Sequence, residues 1–256
     1  MRIVVKVGTS TLTYNTGCLN IRRTEELCKV LSDLKNKGNE IILVSSGAIG
    51  MGVGKLSLKE RPHDIPTKQA AAAVGQCELM YIYDTLFENY HHTVAQILLT
   101  GDDFHHQDRY TNFTNTINRL LELGALPVIN ENDTVATEEI CVGDNDTLSA
   151  LVAKSVKADL LILLSDIDGL YTCDPKKDEN AKLISVVDSI TPEIKALGGD
   201  AGSSLGTGGM KTKLTAAEIC VSSGCDMIIL NGAKPELMYS ATDGEKVGTK
   251  FVAKKV

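Results

Sequence analysis

Short apolar runs alternate with helix-patterned stretches along the whole chain, and nothing else constrains its fold as strongly. The runs are Ile3 to Val7, Ile41 to Val44, Thr93 to Leu99, Leu126 to Ile129, Leu160 to Leu164 and Met227 to Leu230. The first two read as buried strands, Thr93 to Leu99 as strand-like, and the remaining three as strands. The segments between them carry helical signals. Asn20 can cap a helix whose stripe is Leu27, Val30, Leu31 and Leu34, with Gly38 as its stop. Helices are also predicted over Thr67 to Glu88, Asp108 to Leu123, Asn145 to Val156 and from Met210 onward. Strand, helix, strand in repetition implies right-handed crossovers, hence an α/β fold: an αβα sandwich around a mostly parallel sheet. Ligands of such sheets sit beyond the carboxyl ends of the strands. Those ends read Gly8-Thr9-Ser10, Ser45-Ser46-Gly47, Asn130-Glu131-Asn132-Asp133 and Ser165-Asp166.

The 256 residues show no repeat, no low-complexity linker and no composition break, so one domain over residues 1–256 is expected. A net charge of −7 argues against nucleic acid or an anionic membrane as partner. No apolar run approaches the ~18 residues of a membrane span. Met1 enters a strand pattern at once, which leaves no room for a signal peptide and points to the cytoplasm. Seven scattered cysteines without a C-x-x-C pair read as reduced, mostly packed thiols. His91-His92 and His105-His106 are adjacent pairs, not i,i+4 pairs, so no metal held by histidine or cysteine is expected.

One segment points to chemistry. Gly206-Thr207-Gly208-Gly209-Met210-Lys211-Thr212-Lys213 is a glycine-rich turn that runs into a helix. Glycines let a ligand approach the backbone, and the unpaired first amides of a helix suit a phosphate. The lysines add mobile positive charge. The spacing is neither that of a P-loop nor that of G-x-G-x-x-G. The stretch Leu197 to Gly206 before it is expected to be a mobile loop, and Asp174 to Asn180 a surface loop.

Taken together, Val5 to Ser10, Val44 to Ile49, Lys68-Gln69 with Val74-Gly75-Gln76, Val128 to Asp133, Val142 to Asp146 and Gly206 to Lys213 resemble the glutamate 5-kinase family of the amino acid kinase superfamily. The resemblance runs in order from about residue 3 to residue 250. It implies transfer of the γ-phosphoryl group of ATP, with Mg²⁺, to the side-chain carboxylate of L-glutamate, the first step of proline synthesis from glutamate. It also implies feedback inhibition by proline, in which the Lys68 to Gln76 region could take part, hand-over of product to glutamyl phosphate reductase, and a homo-oligomer. Many bacterial members add a C-terminal PUA-type domain, for which a chain stopping at Val256 has no room.

The same resemblance implies residue roles. Lys6 and Lys213 stabilise the phosphoryl group in flight, and Asp146 orients both lysines. Ser46, Gly47, Ala48, Asp133 and Asn145 bind glutamate: Asp133 takes the ammonium, while Ser46, Asn145 and the amides of Gly47 and Ala48 suit carboxylates. Gly8, Thr9, Ser165, Asp166 and Thr207, Gly208, Gly209, Met210, Lys211, Thr212 and Lys213 lie on the nucleotide side. The chemistry agrees with such a set. A carboxylate with a free pKa near ~4.3 is already ionised at neutral pH and needs no general base. Its reaction with a polyphosphate is opposed by charge repulsion, which cations and amides relieve.

Two other readings stand beside this one. A sibling kinase could act on N-acetylglutamate, carbamate, aspartate or a nucleoside monophosphate. An N-acetylated substrate has no ammonium for Asp133, and no base pocket is evident for a nucleotide acceptor. A non-catalytic amino-acid sensor would not need both Lys6 and Lys213.

Overall fold

The computed structural model describes residues 1–14, 18–136, 144–175, 177–199 and 209–253. In chain order the elements are β1 (Arg2–Val7), α1 (Thr9–Leu12), α2 (Ile21–Asn36), β2 (Glu40–Ser45), α3 (Ala48–Lys55), α4 (Ile65–Glu88), β3 (Val94–Leu99), α5 (Asp102–His105), α6 (Gln107–Glu122) and β4 (Leu126–Glu131). There follow α7 (Asn145–Ser155), β5 (Leu160–Ser165), β6 (Val186–Val187), α8 (Pro192–Ala196), α9 (Met210–Ser222), β7 (Asp226–Asn231), α10 (Leu237–Thr242) and β8 (Thr249–Phe251). The eight strands form one sheet in the order β3-β4-β2-β1-β5-β7-β8-β6. All pairings are parallel except β7 with β8.

The two-residue period of β1 sorts its side chains between two cores. Ile3, Val5 and Val7 pack with Leu27, Leu31, Leu34, Leu79 and Tyr83 of α2 and α4. Val4 packs with Ile117, Leu148, Val152, Leu214 and Ala217 of α6, α7 and α9. Helices therefore cover both faces, as the alternation predicts. Lys6 has the parity of Val4, so its side chain is directed to the face that α7 and α9 cover. Each leucine that α2 buries is worth at most about 1.5–3 kcal/mol. Asn20 caps α2 by accepting from the Arg23 amide at 3.2 Å.

The helix α3 is not evident from its sequence, Ala-Ile-Gly-Met-Gly-Val-Gly-Lys, because three glycines lower its propensity. Tertiary packing explains both the glycines and the helix. A Cβ on Gly52 would lie 1.8 Å from the Ala71 carbonyl oxygen, and one on Gly75 would lie 1.7 Å from that of Ala48. The backbones of α3 and α4 touch there, and only glycine permits the approach. The sheet also exceeds the six expected strands. β6 and β8 are two and three residues long and carry no pattern of their own. β8 is a strand because the β7 edge offers it a partner, and β6 because β8 then does the same.

The segment Asp174 to Asn180 is exposed at every described position, as expected of a surface loop. The expected mobile loop falls outside the described residues from position 200 onward. The cysteines depart from the expectation of mostly packed thiols. Cys28, Cys220 and Cys225 are buried, but Cys18, Cys77 and Cys173 are exposed. Cys141 lies outside the described residues.

Candidate active site

Four parallel strands, β4, β2, β1 and β5, run side by side and deliver their carboxyl ends to one edge. Lys6 stands one residue before the end of β1, in register with Val44 of β2 and Leu163 of β5. A charged side chain there is surrounded by apolar strands and must be paired. Its partner is Asp146, in the first turn of α7, where the helix dipole also favours a negative charge. Lys6 Nζ lies 2.7 Å from Asp146 Oδ1, as an ion contact without hydrogen-bond alignment. Lys213 Nζ donates to Asp146 Oδ2 at 3.0 Å. The Thr212 hydroxyl lies 2.9 Å from the same Oδ2 and 2.8 Å from the Gly209 carbonyl oxygen.

All three charged groups are buried, with Asp146 only 1% exposed. Burial pushes the Asp146 carboxyl up, but the Lys6 and Lys213 ammonium groups outweigh it and bring it down to about 2. It is therefore ionised at neutral pH, and the triplet carries a net positive charge. Gly8 follows directly, and a Cβ on it would stand 3.5 Å from Lys6 Nζ, so its lack of a side chain leaves the ammonium approachable. Thr9 begins α1, and Gly8 is the N-cap of that helix.

The N-terminus of α9 brings a second positive feature. Gly209 is its N-cap, and no side-chain cap bond closes it. Met210, Lys211 and Thr212 occupy the first turn, whose amides have no carbonyl one turn back to bond. Thr207 and Gly208 lie outside the described residues. Ser165, at the end of β5, is buried and donates to Asp166 Oδ1 at 3.2 Å.

A polar cluster occupies the neighbouring strand ends. The Asn145 amide nitrogen donates to three acceptors: the Ser45 carbonyl at 3.1 Å, Ser46 Oγ at 2.8 Å and Asn130 Oδ1 at 3.0 Å. Ser46 is followed by Gly47, whose φ of 107° turns the chain into α3 at Ala48. That conformation is open to glycine at no steric cost. Asp133 lies half-buried after β4. Burial, and then the charge of Glu131, push its carboxyl up to about 6, against a pull downward from Arg61.

The fold thus gathers Lys6, Asp146 and Lys213 into one contact, and joins Asn145 to Ser46 next to them. Sequence reading passed over Asn130 and Gln76 as parts of this cluster. Asn130 Nδ2 donates to Gln76 Oε1 at 3.0 Å, across 54 residues of sequence. The polar Asn130 at a strand end was a signal, but no spacing rule links it to Gln76. Asn231, the last residue of β7, also donates to Asp168, beyond β5, at 2.8 Å.

The model of the amino acid kinase family matches residues 1–231. The chain belongs to the amino acid kinase family. Among its relatives, a glutamate 5-kinase of Clostridium perfringens is 54% identical, over 99% of this chain and 96% of that one. A glutamate 5-kinase of Listeria monocytogenes is 53% identical, over 99% and 94%. A longer one from Caldanaerobacter subterraneus is 52% identical, and the match covers 100% of this chain and 68% of that protein. In three dimensions the chain is similar to carbamate kinase from Giardia lamblia bound to AMP-PNP, with a TM-score of 0.71 at 17% identity, covering 99% of this chain and 98% of that one. Isopentenyl phosphate kinase of T. acidophilum gives 0.66 at 17% identity, covering 98% and 100%. As an amino acid kinase, the chain has its α/β sandwich in common with both.

Proposed function

We propose that this chain transfers the γ-phosphoryl group of ATP to the γ-carboxylate of L-glutamate. The observation that carries the reading is the clamp of two buried ammonium groups on one buried carboxylate at the carboxyl edge of the sheet. The relatives named glutamate 5-kinase, identical to it at more than half of the aligned positions, support the choice of acceptor. In the reaction a γ-carboxylate oxygen attacks the γ-phosphorus, the bond to the bridging oxygen breaks, and ADP leaves with that electron pair. The acceptor is already ionised, so the barrier is charge repulsion and loss of position.

The residues answer both demands. Lys6 and Lys213 neutralise the phosphoryl oxygens in flight, and Asp146 holds the two ammonium groups at a set separation. Asp146 contributes no proton transfer, because its depressed pKa keeps it ionised. Gly209, Met210, Lys211 and Thr212 offer backbone amides to the phosphates, and the assignment of Thr207, Gly208, Gly8 and Thr9 to the same phosphates rests on the resemblance. Ser165 and Asp166 face the nucleotide side. Asp133 accepts the α-ammonium, whose positive charge draws its carboxyl back to the ionised form. Ser46, Asn145, Gly47 and Ala48 also hold the amino acid.

No group of three metal-binding side chains occurs among the described residues, and both Asp146 oxygens face ammonium groups. Such a donor set fits Mg²⁺ brought with ATP, which would add positive charge against the polyphosphate beside Lys6 and Lys213. We further propose one kinase domain over residues 1–256, a cytoplasmic homo-oligomer, inhibition by proline, and an acyl phosphate passed to glutamyl phosphate reductase. No helix among the described residues is long and apolar enough to cross a membrane.

The test is ATP consumption with Mg²⁺, with hydroxylamine trapping of the acyl phosphate. L-Glutamate is compared with N-acetyl-L-glutamate, carbamate, L-aspartate and UMP. Hydroxamate from L-glutamate alone is expected. Turnover of another acceptor with silence on L-glutamate would reject the assignment.

A further inference from the structure

The Gln76, Asn130 and Asn145 side chains form a relay whose polarity is set by two backbone groups. The Glu131 amide can only donate, so the Asn130 atom facing it at 2.9 Å is Oδ1. The Ser45 carbonyl can only accept, so the Asn145 atom facing it is Nδ2. Asn130 Nδ2 is then turned to Gln76 Oε1, and Asn145 Nδ2 to Asn130 Oδ1 and Ser46 Oγ. Two consequences reach the amino-acid pocket. Asn145 has spent its amide protons and offers its carbonyl oxygen. Ser46 accepts from Asn145 and keeps its own proton to give. An acceptor at Asn145 suits an ammonium, whereas a hydroxyl donor at Ser46 suits a carboxylate.

Gln76 and Asn130 are both buried, 7% and 3% exposed. If Gln76 cannot accept, Asn130 Nδ2 is left buried and unpaired, and the amide gains by rotating away from Asn145. We propose that Gln76 is a positioning residue for the amino-acid substrate: its side-chain oxygen holds the Asn130 amide plane, which holds Asn145 with its carbonyl oxygen toward the α-ammonium. This rests on the reading of L-glutamate as acceptor.

The test combines Gln76→Met and Asn145→Ala in a double-mutant cycle, with KM for L-glutamate and for ATP read separately by hydroxamate formation. Gln76→Met is expected to raise the glutamate KM about tenfold, the worth of one buried hydrogen bond, with the ATP KM within about twofold. In the Asn145→Ala background the same change is expected to add less than about twofold, because the two act through one chain of bonds. Gln76→Glu retains the acceptor, restores most of the loss, and serves if the methionine variant does not fold. An unchanged glutamate KM in Gln76→Met, or effects that multiply independently with Asn145→Ala, would overturn the relay. If the unaltered chain has no turnover with L-glutamate, the acceptor assignment fails and takes the relay's ammonium partner with it. A normal unaltered enzyme with an indifferent Gln76→Met sinks the relay alone.

Discussion

Replacing Asp146 with Asn tests whether the charged triplet is a structural centre as well as a catalytic one. The side-chain shape is nearly kept, but the negative charge between two lysines is lost. At contacts of 2.7 and 3.0 Å, each ammonium–carboxylate attraction is about 6 kcal/mol gross at an effective dielectric of 20. Desolvation of three ions and repulsion between the lysines offset most of that. What remains is the cost of two buried ammonium groups facing an amide, about 3–5 kcal/mol by analogy with other broken buried pairs. For a chain of this length that corresponds to roughly 6–20 °C in Tm.

The pH dependence separates charge from packing. The Asp146 pKa falls from 3.8 unfolded to about 2 folded, so its charge-linked stability is fully present above pH 3.8. That part, about 2 kcal/mol, is lost as pH falls through about 2. Urea unfolding of both proteins from pH 7 downward is the assay, with kcat from hydroxamate formation beside it. The gap is expected to be widest at pH 7 and to narrow below pH 4, with kcat lower by at least about a hundredfold. A gap under about 1 kcal/mol at pH 7, or one that ignores pH, would refute the electrostatic reasoning.

Lys6→Ala and Lys213→Ala are each expected to lower kcat by about a hundred- to a thousandfold while the chain still folds; near-normal turnover in either removes that lysine from the reaction. Asp133→Asn is expected to raise the glutamate KM at least about tenfold, through loss of a charge-assisted bond to the ammonium. The same change should stabilise the ligand-free protein at pH 7 by about 3 kcal/mol. Because the folded pKa is raised from 3.8 to about 6, that gain is absent below pH 3.8 and complete above pH 6. A destabilised variant in thermal melts would contradict the sign. In the unaltered protein, the glutamate KM should rise as pH falls through about 6, and a flat profile would exclude Asp133 as the ammonium partner. Gly75→Ala should cost at least about 3 kcal/mol in urea unfolding, since its Cβ would sit 1.7 Å from the Ala48 carbonyl; a neutral result would mean that α3 and α4 can separate freely.

The sequence by itself determined the alternation of strand and helix, and with it the parallel sheet. Apolar runs of four to seven residues bury their backbones only in strands covered on both faces, and helices are what covers them. It also placed the glycine-rich turn before α9, because glycine and lysine at a helix start have a local electrostatic meaning. The motifs that carry the resemblance also singled out Lys6, Asp146 and Lys213 as a set, though not the distances at which they meet. Contacts between distant segments were decided by the tertiary structure. Lys6, Asp146 and Lys213 are far apart in the chain and meet only because β1, α7 and α9 pack together. The glycine-rich helix α3 exists because α4 passes at backbone contact, which no local propensity records. The bond from Asn130 to Gln76 depends on how α4 lies over the end of β4. Periodicity and capping act within one element and are visible in a string of residues. Pairing of charges and amides across elements depends on crossing geometry, and that is set only when the layers close on each other.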